Sequence, residues 1–211
     1  MTKMLKAALL VMMTVSFGAQ AQDGDWQEGQ HYVELSNPVP TASEDKIEVA
    51  EVFWYGCPHC YTFKPLIEAW EADMADDVHF ELIPAALGRS WEPHARAFYA
   101  VEALDKLDET HDALFEALAR DRRQLETPEA LAEYLAEYGV DEEEFIKTFN
   151  SFGVNAKMQQ SQAKIRGARI TGTPTMLVNG KYTVSASMTG SHENMIKVVD
   201  YLVEKERAAQ Q

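Results

Sequence analysis

Apolar residues crowd most densely over residues 47–55, where the run IEVAEVFWY is nearly unbroken, β-branched and aromatic. Such a run predicts a strand covered on both faces. Gly56 ends it, and the spacing then changes. Phe63, Leu66, Ile67 and Trp70 recur at helical intervals, predicting a helix over 57–74 that Pro65 should kink. Residues 78–83 read as a second strand stopped by Pro84, and the β-α-β order favours a parallel pair. A shorter alternating piece over 31–35 reads as a minor strand ahead of the breakers Asn37, Pro38 and Pro40.

From about Trp91 to about Arg166 only helical spacing recurs. Thr127 is placed to cap a helix that has Pro128 at its first position and Gly139 at its end, and Asp141 with Glu144 forms a capping-box pattern for the next. Leu131, Leu135 and Tyr138, then Phe145, Ile146 and Phe149, give each helix one apolar stripe. Two short apolar runs follow, 175–178 and 182–184, joined through Asn179-Gly180, a strong hairpin signal. Ser191 starts a closing helix. The order β-α-β, helices, β-β-α predicts an α/β chain with a thioredoxin-like layout and an inserted helical subdomain, divided as residues 22–87, 88–166 and 167–211.

The first 21 residues stand apart. Lys3 and Lys6 precede an apolar run from Ala7 to Phe17 and the small-x-small site Ala19-Gln20-Ala21, the pattern of a signal peptide over 1–21 with Gln22 opening the mature chain. The run is short for a membrane anchor, no cysteine follows for lipidation, and no later segment reaches membrane-spanning length. The expected product is exported and not membrane-embedded. Removing two lysines and no acid takes the formal charge from −15 to −17. That balance argues against nucleic acid as a partner, because phosphates would be repelled; solubility accounts for the charge without a partner.

Two cysteines in an exported chain most simply form one disulfide. Cys57 and Cys60 are separated by only two residues, so a bridge between them removes little chain entropy and is a poor structural staple. Reactivity is the better reason for it. Placing Cys57 at a helix start lowers its thiol pKa through unpaired N–H groups and the helix dipole, while Cys60 sits one turn further in. Cys57 is therefore the attacking or attacked sulfur, and Cys60, more buried, the resolving thiol. Pro58 suits the first helical turn, and His59 brings a hydrogen-bond donor or a positive charge beside the sulfur. A zinc site is disfavoured, since there is no second cysteine pair and the histidines at 31, 79, 94, 111 and 192 lack finger spacing. Those five read as surface or core-edge residues. Phe53, Trp54 and Tyr55 read as core packing, with the last members placed to border a substrate groove.

At these residues the chain resembles the DsbA family, the disulfide-introducing oxidases of the Gram-negative periplasm. The likeness runs through Glu51-Val52-Phe53, Cys57-Pro58-His59-Cys60-Tyr61, the helical insert, and the stretch from Gly172-Thr173-Pro174-Thr175 to Asn179-Gly180-Lys181-Tyr182. It implies that Pro174, which alone would read as a trans strand-start proline, is cis and lies beside the reactive pair. Thr173 would offer backbone groups to an extended substrate. Glu51 would be a buried acid assisting proton transfer at Cys60. From the residues alone, a carboxylate in an apolar strand is costly unless partnered and often marks function, against the alternative of a solvent-facing strand end.

The resemblance further implies a periplasmic monomer that oxidises unfolded secreted proteins, is reoxidised by a DsbB-like quinone-linked membrane protein, and needs no metal or organic cofactor. Ser185-Ala186-Ser187 departs from the family's proline-containing loop near the substrate groove, which affects partner affinity rather than chemistry. Two other readings stand beside the oxidase: a reductase or isomerase with the same chemistry, and a periplasmic peptide-binding chaperone.

Overall fold

In the computed structural model, which describes residues 26–43 and 45–210, the dense apolar run becomes the strand β2 (Ile47–Phe53), buried at all seven positions. The leader expected over 1–21 lies outside the described residues. The remaining strands are β1 (Val33–Glu34), β3 (Val78–Pro84), β4 (Thr175–Val178) and β5 (Tyr182–Ser185). The helices are α1 (Pro58–Asp73), α2 (Trp91–Ala103), α3 (Leu107–Phe115), α4 (Pro128–Ala136), α5 (Glu142–Phe149), α6 (Phe152–Gly167), α7 (Ala186–Thr189) and α8 (His192–Ala209). A π-helical turn over Glu116–Arg120 extends α3.

The five strands lie in the order β1-β5-β4-β2-β3. β2 pairs in parallel with β3, as the β-α-β pattern predicts, and antiparallel with β4. Pro84 belongs to β3 rather than stopping it. It sits opposite Phe53 on an edge strand, where a missing N–H is tolerated.

Alternation along β2 sorts its side chains between the two sheet faces. Ile47 and Val49 point to the face covered by α1 and α8, where they pack with Phe63, Ile67, Val198 and Leu202. Ala50 and Val52 point to the other face, against Ile83, Leu177 and Ile165 of α6. Both faces are thus dry, which is why the strand reads as nearly continuous apolar sequence. Phe53 and Tyr55 leave the end of β2 into a third cluster, built from Phe98, Leu114, Phe115, Leu131, Leu135 and Phe145 of the helical segment. The inserted helices therefore rest on the strand end that carries the cysteine motif.

The helix signals hold where they depend on local chemistry. Thr127 Oγ1 accepts from the Ala130 N–H at 3.2 Å, and Asp141 Oδ1 accepts from the Glu144 N–H at 2.9 Å. Ser191 caps α8 by accepting from Asn194 N–H at 3.1 Å. α1 continues past Pro65 to Asp73. The β4–β5 hairpin turns on Asn179 (φ 49°) and Gly180 (φ 64°), both left-handed, with the Lys181 N–H donating to the Val178 carbonyl at 2.9 Å and Val178 paired with Tyr182. Close approach adds to the demand at Gly180, because a Cβ there would lie 2.1 Å from the Val39 carbonyl oxygen. Gly180→Ala should therefore destabilise the protein by more than about 1 kcal/mol. The urea midpoint measures this, and a midpoint equal to wild type would contradict the packing described.

Candidate active site

Cys57 occupies the N-cap of α1 with extended backbone (φ −88°, ψ 113°), and Pro58 takes the first helical position, where its lack of an N–H leaves nothing unsatisfied. The chain enters this turn under constraint. Cys57 N–H donates to the Trp54 carbonyl at 2.9 Å, and the Trp54 ring lies so close over Gly56 that a Cβ there would meet it at 2.3 Å. Trp54 stacks in turn on Trp91 (centroids 4.2 Å apart, planes 4° apart) and donates from Nε1 to His94 Nδ1 at 2.9 Å. His94 Nε2, which then carries the proton, donates to the Leu125 carbonyl at 3.0 Å. Trp54 thus clamps the cysteine turn to the inserted helices.

The two thiols are not bonded to each other here, and their environments differ sharply. Cys57 Sγ accepts from the Cys60 backbone N–H at 3.4 Å and lies 3.4 Å from the carbonyl oxygen of Thr173. Hydrogen bonding from the Cys60 side chain is the largest influence on it. Burial opposes, while Thr173 and the backbone N–H groups of Cys60 and His59 reinforce, and the Cys57 pKa falls to about 5. Cys60 is fully buried, and that burial, with the negative charges of Cys57 and Glu51 nearby, pushes its thiol far above the usual range. One sulfur is an anion at neutral pH; its neighbour keeps its proton.

The Thr173–Pro174 peptide is cis. It sits on the loop into β4, which brings residues 116 positions away in sequence against Cys57. Thr173, Pro174, His59 and His192 line a groove of about 630 Å³ beside the thiol, and Ser185, Ala186 and Ser187 line it as well. Ala186 and Ser187 open α7, a short helix that the sequence did not predict. The His59 ring is exposed and stands 6.3 Å from the His192 ring; it is the His59 backbone that reaches the sulfur.

Glu51 is 3% exposed, so it is not a solvent-facing residue at a strand end. β2 carries a second acid, Glu48, and the contrast between them is informative. Glu48 is fully buried and fully partnered, accepting from Lys164 Nζ and from the Ala42 N–H, each at 2.5 Å. Glu51 Oε1 is buried with no hydrogen-bond partner. Burial first, then the charges of Cys57 and Glu68, raise its pKa to about 8, against the lowering influence of Lys64. Glu51 lines a cavity of about 370 Å³ together with Lys64, Glu68, His111 and Asp112. Lys64 bridges Glu68 and Asp112, whose side chains are largely exposed, so the cavity links the buried acid to surface carboxylates. His111 is held neutral by burial, with a pKa near 4, and its Nδ1 lies 2.8 Å from the Tyr55 hydroxyl.

Sequence reasoning brought Cys57, Pro58, His59, Cys60, Glu51, Thr173 and Pro174 forward, and the fold gathers them around the α1 N-terminus. It missed His192, Lys64 and the Trp54–Trp91–His94 stack. Among the described residues no group of three metal-ligating side chains occurs, and no helix is long and apolar enough to cross a membrane.

Residues 48–196 match the model of the DsbA-like thioredoxin domain. The chain belongs to the DsbA family. The thiol:disulfide interchange protein DsbA of Pseudomonas aeruginosa is 44% identical over 209 residues, covering 99% of each chain, and that of Azotobacter vinelandii is 41% identical over the whole of both. The crystal structure of Pseudomonas aeruginosa DsbA superposes with a TM-score of 0.85 at 45% identity, over 88% of this chain and 97% of that one. The Xylella fastidiosa oxidoreductase DsbA gives 0.81 at 40% identity, over 86% and 98%. This DsbA family member is a thiol–disulfide oxidoreductase on a thioredoxin-like fold.

The two opposed shifts have a thermodynamic consequence. Cys57, with a depressed folded pKa, adds stability that is full above the unfolded thiol pKa of 9.0 and is lost as pH falls through about 5. Glu51, with a raised folded pKa, adds stability that is full below 4.5 and is lost as pH rises through about 8. Between about pH 5 and 8 the folded reduced protein has lost one proton at Cys57 and kept one at Glu51, so the two slopes nearly cancel. Denaturant unfolding should show reduced wild type nearly flat in this window and reduced Glu51→Gln gaining stability with pH. At pH 7 the Glu51→Gln variant should exceed wild type by more than about 1 kcal/mol. The oxidised protein, lacking the thiolate, should lose stability as pH rises. Parallel profiles for all three would contradict the shifts.

Proposed function

We propose that this protein is a periplasmic dithiol oxidase that donates a Cys57–Cys60 disulfide to newly exported proteins. The observation that carries the reading is the asymmetry between the two sulfurs. An anion held by several hydrogen bonds is a good leaving group, and stabilising the reduced form makes the disulfide the less stable partner, hence an oxidant.

The exchange runs in two displacements. A substrate thiolate attacks Cys57 Sγ, the Cys57–Cys60 bond breaks, and its electron pair leaves on Cys60. Cys60 cannot remain ionised in its dry site, so it takes a proton; Glu51, still protonated at neutral pH, is the donor, and the cavity beside Lys64 returns a proton to it from the surface. A second substrate thiolate then attacks the substrate sulfur of the mixed disulfide and expels Cys57 as a thiolate. Two electrons pass to the enzyme, and the substrate leaves with its own disulfide. Thr173 and cis-Pro174 present backbone to an extended substrate in the groove, and the His59 ring places a donor at its mouth.

The step closes only if an external oxidant removes those electrons, a role we assign to a DsbB-like quinone-linked membrane protein using the same groove. Export through the leader at 1–21 puts the chain in the compartment where both partners meet, and the chemistry calls for neither metal nor organic cofactor. A monomer suffices, since every group used comes from one chain.

Equilibration with a glutathione redox buffer tests the direction. The reduced protein should predominate at glutathione ratios that leave thioredoxin oxidised; a thioredoxin-like poise would favour a reductase or isomerase instead. Cys57→Ser should abolish oxidation of a reduced substrate protein. Retention of full folding assistance by that variant would favour a chaperone.

A further inference from the structure

The groove beside Cys57 differs in charge from the rest of the molecule. The chain carries 34 acidic and 19 basic side chains, and four other cavities among the described residues are each lined by at least two carboxylates. Among the described residues the groove is lined by none. Its charged and titratable side chains are Arg169, His59 and His192, interspersed with the hydroxyls of Thr171, Ser185 and Ser187. Arg169 is exposed, left-handed (φ 54°), and pairs with no carboxylate among the described residues. His192, at the start of α8, faces His59 across the groove mouth and lies 5.1 Å from the Phe63 ring, tilted 55° to it. Three donor groups thus converge, without acceptors of their own, on the space beside Thr173 and Pro174.

We propose that this groove selects substrate thiols lying in acidic segments, with Arg169, His59 and His192 receiving aspartate or glutamate side chains two to four residues from the reacting cysteine. The inference rests on the exchange reading above and adds the class of substrate to it. An extended segment rises about 3.3 Å per residue, so those positions lie roughly 7–13 Å along the groove from the attacked sulfur. The net charge of −15 acts against acidic chains at long range. At about 0.15 M salt, however, charges further apart than about 8 Å are largely screened, leaving the short contacts in the groove to decide.

Selectivity should also grow as pH falls. His192 is held below the usual imidazole pKa by partial burial and by His59, while Glu193 on its own helix and the Cys57 thiolate act the other way. Arg169 lines the groove with His192, and α7 has no titratable side chain. Protonation of His192, displaced below the usual imidazole range, therefore adds positive charge at the groove mouth as pH falls below about 6.5.

Two dithiol peptides, identical except for glutamate or lysine flanking the cysteines, would be oxidised by the disulfide form of the full mature chain. Each rate is divided by the same peptide's rate with hydroxyethyl disulfide, which removes the peptide's own thiol pKa. The normalised rate should favour the glutamate peptide about 5-fold at pH 7.5, and more at about pH 5.5. Arg169→Asn combined with His192→Gln should bring the ratio towards one; asparagine suits the left-handed backbone at 169. Equal normalised rates, or preference for lysine, with both peptides still oxidised by wild type, would overturn the proposal and leave the exchange reading intact. Oxidation of neither peptide would overturn both. The wild-type comparison decides even if the double variant does not fold.

Discussion

The structure depends on one negative charge held at the N-terminus of α1. Cys57 Sγ is held by the Cys60 thiol and by the backbone N–H groups of the first helical turn, and these outweigh the burial that would otherwise keep the thiol protonated. Much of the chain serves that arrangement. β2 delivers the turn, Pro58 starts the helix, and the Trp54–Trp91–His94 stack fixes the backbone immediately before the sulfur. The loop into β4 supplies Thr173 from the far end of the sequence.

The charge is not isolated from the core beneath it. Glu51 lies on β2, six residues before Cys57, and among the described residues its Oε1 is buried without a partner, as is Thr173 Oγ1, while Glu48, three residues earlier, is saturated by Lys164 and backbone. A folded chain leaves a buried acid unsatisfied only at a cost, which is reasonable where the acid must exchange a proton. Burial holds the proton on Glu51 over the pH range in which Cys57 has lost its own. The site carries roughly one negative charge where two ionised groups would repel, and Cys60 remains a neutral thiol between them.

Much of this was legible in the sequence because the signals were local. A strand buried on both faces must be apolar nearly throughout, so residues 47–53 declared themselves, and Glu51 inside them stood out. Thr127-Pro128, Asp141 and Asn179-Gly180 act through their own backbones, and the structure places caps and turn where those residues predict them. The cysteine motif at a strand-to-helix turn gave the pKa asymmetry its direction. What stayed hidden depends on distant partners. Nothing in the spacing of 54, 91 and 94 announces a stack, and no pattern pairs His192 with His59 across 132 intervening residues. Glu48 and Glu51 look equivalent until Lys164 is brought to one of them by α6. Pro174 read as trans from the residues alone; the family resemblance supplied the cis bond that the structure contains.

The account stands on the ionisation of a single sulfur, which ultraviolet thiolate absorbance of the reduced protein follows directly as a function of pH. One thiolate should titrate with a midpoint near 5, absent in Cys57→Ser, and the second thiol should remain protonated through neutral pH. A first midpoint in the ordinary thiol range, about 8.5, would contradict the account.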